Sequence, residues 1–176
     1  NYIKKEKEFK DLQIIIKKTP TSYETVKRMH FLNNSMNFPI LLCYSDNLVN
    51  FNLKKYFSYF SKKNSVIIKK SKDSYELGNI NVNNKKIIDY FENRSKSHRF
   101  VELGYFILQK KIIDYLKKCK KNESFSKIIN KLVNNKELFY YKTNAEYLSI
   151  TDKKKLNRSK QNIKKFKRIN IKNFYK

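Results

Sequence analysis

Between residues 38 and 105, short apolar runs alternate with polar punctuation in the order strand, helix, strand, hairpin, strand. That order confines the chain to a small α+β layout. Phe38-Pro39-Ile40-Leu41-Leu42-Cys43-Tyr44 is a short apolar run closed by Ser45-Asp46-Asn47, a turn or helix-cap signal. Val49, Leu53, Tyr56, Phe57 and Phe60 follow at i, i+4, i+7, i+8 and i+11, which is one apolar helix face. Val66-Ile67-Ile68 opens a second strand expected to run on through Lys69, Lys70, Lys72, Tyr75 and Leu77. The Asn- and Lys-rich residues 79–86 read as a hairpin tip or loop, and Val101, Leu103 and Tyr105 alternate along a third strand.

Leu108, Ile112, Tyr115, Leu116 and Cys119 repeat the spacing of the first helix, so the pattern implies a sheet with both helices on one side. Phe125, Ile128, Ile129, Leu132 and Val133 are helical in spacing, and residues 138–141 form a candidate closing strand; which of these supplies the fourth strand stays open. Phe9, Leu12, Ile15 and Ile16 share one helical face. Thr21 and Glu24 have capping-box spacing ahead of Val26, Met29 and Leu32. The chain divides into an N-terminal extension (1–37), a central domain (38–142) and a basic tail (143–176).

Charge is the strongest statement about partners. Lys and Arg number 41 against 15 Asp and Glu, a formal net charge of +26. A solvated surface of ordinary design carries a net charge of about 2 to 8. So large an excess points to a polyanion: nucleic acid first, through release of condensed counterions, and an anionic membrane second. Tyr and Phe, 13 each, supply core material and leave rings to stack on bases. Only 2 Gly and 2 Pro, against abundant Lys, Asn, Ile, Tyr and Phe, is the imprint of an AT-rich genome rather than of structure. No apolar run approaches the roughly 20 residues that span a bilayer. No secretory leader pattern opens the sequence at Asn1, so a processed or missing start is expected.

Little in the sequence speaks of chemistry. Cys43 and Cys119 sit in apolar patterns and read as reduced core cysteines. His30 and His98 are the only histidines and belong to no cluster with metal-ligand spacing, so neither metal nor cofactor is expected. Two glycines cannot build a phosphate-cradling loop. His98, between Ser97 and Arg99, is the one residue to weigh as catalytic. With no nucleophile or orienting partner beside it in the sequence, it reads as a phosphate or base contact, and the chain as a non-enzyme.

The segment order resembles that of the small-subunit ribosomal protein ten family over residues 40–129. The run Ile40-Leu41-Leu42-Cys43-Tyr44-Ser45-Asp46-Asn47-Leu48-Val49-Asn50 is similar to that family's first strand and helix start. Ile80-Asn81-Val82-Asn83-Asn84-Lys85 resembles its hairpin tip. Phe91-Glu92-Asn93-Arg94-Ser95 and His98-Arg99-Phe100-Val101-Glu102-Leu103 resemble its third-strand signature with one residue inserted, and the helix over 108–118 matches in place. The hairpin is several residues shorter than the family's and lacks its prolines.

The resemblance implies a ferredoxin-like α+β sandwich, strand-helix-strand-strand-helix-strand, with a long basic hairpin and helical or extended terminal extensions. It implies a structural constituent of a mitochondrial small ribosomal subunit, bound to rRNA and to neighbouring proteins of the subunit head, with no small-molecule substrate and no membrane. The matrix is then the expected location, with another organelle or the cytoplasm of an AT-rich organism as the alternative. The expected RNA contacts are Lys69, Lys70, Lys72, Lys85, Lys86, Arg94, Lys96, His98 and Arg99, with Lys164, Lys165, Lys167 and Arg168 in a tail threading along RNA. The rivals are an accessory ribosomal or other RNA-binding protein unrelated to that family, an RNA-processing enzyme and a membrane-surface protein.

Overall fold

The computed structural model describes residues 17–71, 78–120, 123–153 and 155–157. The expected helix with Phe9, Leu12, Ile15 and Ile16 lies outside them. So do the strand continuation through Lys72, Tyr75 and Leu77 and the tail residues Lys164, Lys165, Lys167 and Arg168.

Helix α1 (Thr25–Leu32) and a 3-10 turn (Asn33–Ser35) precede β1 (Ile40–Cys43), β2 (Asn47–Val49), α2 (Leu53–Phe60) and β3 (Asn64–Lys70). Strands β4 (Gly78–Asn83), β5 (Lys86–Ser95) and β6 (Phe100–Leu108) follow, then α3 (Ile112–Lys118), α4 (Phe125–Asn134), β7 (Leu138–Lys142) and β8 (Tyr147–Ser149). Strand β6 organises the sheet: it pairs antiparallel with β1, β3 and β4. The sheet order β1-β6-β3-β7-β5-β4 is completed by β4 returning to β6. Five strands therefore form a closed ring, with β1 added on the outer edge of β6. Two seams of that ring are single residue pairs, Ile80 with Phe100 and Lys86 with Phe139. β3 and β7 are parallel, and the long connection between them supplies the crossover that a parallel pair requires.

This connectivity overturns the expected ferredoxin-like sandwich. That layout is an open sheet with its helices on one face; here the sheet is mixed, closes on itself and carries helices on both faces. Val101, Leu103, Tyr105 and Ile107 of β6 cluster with Val49 and with Tyr56 of α2. Phe106 and Leu108, at alternate positions, cluster instead with Ile112 and Leu116 of α3, Ile128 and Leu132 of α4, and Val26 and Met29 of α1. Equal spacing in two helices shows that each has an apolar stripe. It does not say which sheet face the stripe covers.

Other boundaries shift for local reasons. Val49 is a strand residue, because 47–49 pair with β8, and α2 starts at Leu53 where Asn52 Oδ1 accepts the Lys55 N–H at 2.8 Å. Residues 79–83, expected in the hairpin tip, belong to β4; the tip is Asn84-Lys85, with φ of 43° and 67° as a tight two-residue hairpin turn requires. Cys119 is buried as expected, whereas Cys43 reaches the surface. β7 is the last strand of the ring.

Tyr56 fastens α2 to the sheet. Its hydroxyl lies 2.9 Å from Ser65 Oγ, accepts the Ile107 N–H at 3.3 Å and reaches the Tyr105 carbonyl at 3.5 Å, where the β3–β6 register shifts. Gly104 lies in that irregular stretch with φ +74°; a Cβ there would stand 2.4 Å from Asn47 Nδ2 and 2.7 Å from the Tyr44 ring. Among the described residues no helix is long and apolar enough to cross a membrane.

Candidate active site at the β5–β6 turn

The turn between β5 and β6 is shaped by a bulge and a glycine. Gly78 pairs with Ser95 and Ile80 with Tyr90, so residues 91–94 of β5 stand opposite the single residue Asn79. Glu92, inside the bulge, accepts the Ser126 hydroxyl at 2.8 Å, which ties the bulge to the first turn of α4. A Cβ on Gly78 would fall 2.2 Å from the His98 carbonyl oxygen, so the His98 backbone packs directly on a residue without a side chain.

His98 is 6% exposed, and both ring nitrogens are engaged. Nε2 lies 3.1 Å from Asp89 Oδ2. Nδ1 lies 2.6 Å from Ser95 Oγ and 3.2 Å from Ser97 Oγ, and the two hydroxyls are 2.7 Å apart. A carboxylate accepts only, so Nε2–H donates to it. In the neutral ring Nδ1 then carries the lone pair and accepts from a serine hydroxyl. The result is a carboxylate–imidazole–hydroxyl relay whose Asp89 side chain is 40% exposed. The Phe91 ring, centroid 4.9 Å from that of His98, leans on the imidazole and is itself exposed.

Arg94, Lys96 and Arg99 flank Ser95 and His98 in the chain and are exposed. The Arg99 N–H donates to Asn81 Oδ1 at 3.3 Å, and its carbonyl accepts the Ser71 N–H, which leaves the guanidinium outside the backbone network. Of the other expected contacts, Lys69 donates to the Ala145 carbonyl at 2.9 Å, Lys70 is exposed at the end of β3, and Lys85 is exposed at the hairpin tip. Lys86 is half-buried with its ammonium 5.4 Å from the Phe139 ring centroid. Arg94 acts on the Glu102 carboxyl and the Tyr90 hydroxyl, whereas Lys96 and Arg99 are exposed neighbours of the relay in the chain.

Sequence reasoning missed Asp89 and the orienting role of Ser95, and the statement that His98 lacks partners is corrected by both. The signal for Asp89 is faint: it stands nine residues upstream, and only the bulge brings it to the imidazole. Glu102 was missed too. It is 8% exposed, and burial pushes its carboxyl up to about 7 against the pull of Arg94 and the Gly104 N–H. Its Oε2 finds no partner among the described residues. Those residues also hold no group of three or more His, Cys, Asp or Glu side chains placed to share a metal ion.

No protein-family model matches the chain, and no curated protein sequence matches it significantly. Solved structures do. A glucose-1-phosphate thymidylyltransferase from Bacillus anthracis superposes with a TM-score of 0.76 at 14% identity, covering 91% of this chain and 69% of its own. An inositol-1-phosphate CTP transferase from T. maritima gives 0.67 at 17%, covering 89% and 67%. HddC from Yersinia pseudotuberculosis gives 0.66 at 16%, covering 88% and 71%. The fold is one that nucleotidyltransferases share.

These neighbours overturn the ribosomal reading. The chain's structural likeness is to nucleotidyltransferases and not to small-subunit ribosomal protein ten, so the expected roles in the ribosome, rRNA binding and translation are withdrawn. The unrelated RNA-binding alternative finds no support either. The expectations of a non-enzyme and of no small-molecule substrate fall with them, since the neighbours are enzymes named for glucose 1-phosphate, inositol 1-phosphate and CTP. The physical reason is that a one-dimensional order of segments is compatible with more than one sheet, and the ring closure here selects another.

Proposed function

We propose that this chain is a nucleotidyl-transferring enzyme, taking a nucleoside triphosphate and passing its nucleotidyl group to a phosphorylated small-molecule acceptor. The observation that carries the reading is the Asp89–His98–Ser95 relay, flanked in the chain by the exposed cations Arg94, Lys96 and Arg99. The fold shared with nucleotidyltransferases supports it.

With Gly78 and Gly104 the only glycines, triphosphate charge is met by side chains rather than by a backbone cradle. Arg94 and Arg99 offer forked donors to phosphate oxygens and Lys96 a point charge. In the transfer, an acceptor oxygen bonds to the α-phosphorus, the bond from that phosphorus to the bridging oxygen breaks, and pyrophosphate leaves. Any proton on the attacking oxygen passes through Ser95 Oγ to His98 Nδ1, while Asp89 balances the imidazolium at Nε2. The exposed Phe91 ring is placed to stack on the base.

The test is product detection. The full chain, incubated with each common nucleoside triphosphate, magnesium and glucose 1-phosphate or inositol 1-phosphate, should give a nucleoside diphosphate adduct of one acceptor by mass spectrometry. Absence of any such adduct across all combinations contradicts the proposal.

A further inference from the structure

The hydroxyls and thiols of the described residues differ in what they face. Ser65 Oγ donates to the Tyr56 hydroxyl, and Ser126 Oγ to the Glu92 carboxylate, neither of which is a base of useful strength at neutral pH. Burial pushes the Cys43 thiol up to about 11 and raises Cys119 as well, so neither sulfur is a ready thiolate. Ser95 is different. Its Oγ lies 2.6 Å from Nδ1 of an imidazole whose other nitrogen is held by a carboxylate. A hydroxyl, a base and a third group orienting the base are the parts of an activated nucleophile. The constellation serves acyl transfer on unrelated folds and is recognised by roles rather than by sequence position. Here the carboxylate is on Nε2 and the hydroxyl on Nδ1, and either nitrogen is a base once the other carries the proton.

The backbone holds the pair in place. Ser95, the half-buried last residue of β5, pairs with Gly78, and the missing Cβ of Gly78 admits the His98 backbone that closes the turn. The His98 N–H donates to the Ser95 carbonyl at 3.4 Å across that turn. Ser97, exposed between them, has its Oγ 2.7 Å from Ser95 Oγ. An oxyanion formed on a carbon bonded to Ser95 Oγ is therefore within reach of the Ser97 hydroxyl, a donor for the charge that develops there. The exposed Phe91 ring, which leans on His98, offers apolar surface to an acyl group.

We propose that Ser95 is a nucleophile and that this turn cleaves small carboxylic esters through an acyl-serine. Ser95 Oγ bonds to the ester carbonyl carbon while its proton passes to His98 Nδ1, with Asp89 balancing the imidazolium. The bond from that carbon to the alkoxy oxygen then breaks, and the alcohol leaves with the proton. Water attacks the acyl-serine and gives a proton to Nδ1, and the carboxylic acid departs as Ser95 Oγ takes that proton back. No oxidant and no nucleotide takes part, so this activity and the transferase reading fail separately.

The test is covalent labelling of the full chain with an alkyl fluorophosphonate, which loses fluoride as its phosphorus bonds to an activated serine. Peptide mass spectrometry should find one adduct, on Ser95, and the labelled protein should lose its hydrolysis of 4-nitrophenyl butyrate. Asp89→Asn should slow labelling of folded protein roughly 10²–10⁴-fold. Four results overturn the proposal: no adduct, an adduct on lysine or tyrosine in place of Ser95, equal labelling of the urea-unfolded chain, or an equal labelling rate in Asp89→Asn. The first three are read on the wild-type chain, so they hold whether or not the variant folds.

Discussion

Nε2 of His98 and Oδ2 of Asp89 lie 3.1 Å apart although they are nine positions apart in the chain, with the bulged residues 91–94 of β5 between them. The pairing assigns one ring nitrogen to a carboxylate and leaves the other to the Ser95 and Ser97 hydroxyls. Asp89→Asn keeps the shape but removes the carboxylate that fixes the tautomer and balances the imidazolium. It should lower kcat by roughly 10²–10⁴-fold with little change in KM. Ser95→Ala should act in the same direction. Steady-state kinetics of pyrophosphate release decides; a rise in KM alone would mean that the cluster only binds.

The two glycines should respond differently. Gly104→Ala meets a left-handed backbone and contacts with Asn47 and Tyr44, far along β6 from His98. It should cost about 2–5 kcal/mol of stability, measured by urea unfolding, while folded protein keeps its kcat. Gly78→Ala drives a Cβ into the His98 backbone and should lower kcat even in the fraction that folds.

Glu102 sets a pH dependence of stability. Its carboxyl is raised from the usual 4.5 to about 7 by burial. Between those values the unfolded chain has released the proton that the folded chain keeps, so stability falls as pH rises through the window and levels off above pH 7. The fall amounts to about 3 kcal/mol for a shift of this size. Glu102→Gln should flatten this component and be the more stable protein at pH 8. Urea melts at a series of pH values check it, and an identical slope in both proteins contradicts it.

Much of the local structure is legible in the residues. The alternation of Val101, Leu103 and Tyr105, the stripe Phe125, Ile128, Ile129, Leu132 and Val133, and the turn signal at Ser45-Asp46 all correspond to observed elements. What periodicity does not carry is which face each stripe meets. Nor does it carry ring closure, which rests on single pairings such as Ile80 with Phe100 and Lys86 with Phe139. The site was legible only at His98. Asp89 looks like any acid leading into a strand until the bulge is known, and Glu102 sits in an apolar run that hides its burial. The abundance of Lys also made the whole hairpin read as one basic surface. The fold instead sends Lys69 to a carbonyl, Lys86 over a ring and Arg94 to the buried Glu102.

The most direct test of the central claim is the rate of pyrophosphate release by the full chain with a nucleoside triphosphate and a sugar phosphate, compared with His98→Asn at equal folded concentration. Release should require both substrates and fall at least about a hundredfold in the variant. Release that is absent from wild type, independent of the acceptor, or equal in the two proteins would contradict it.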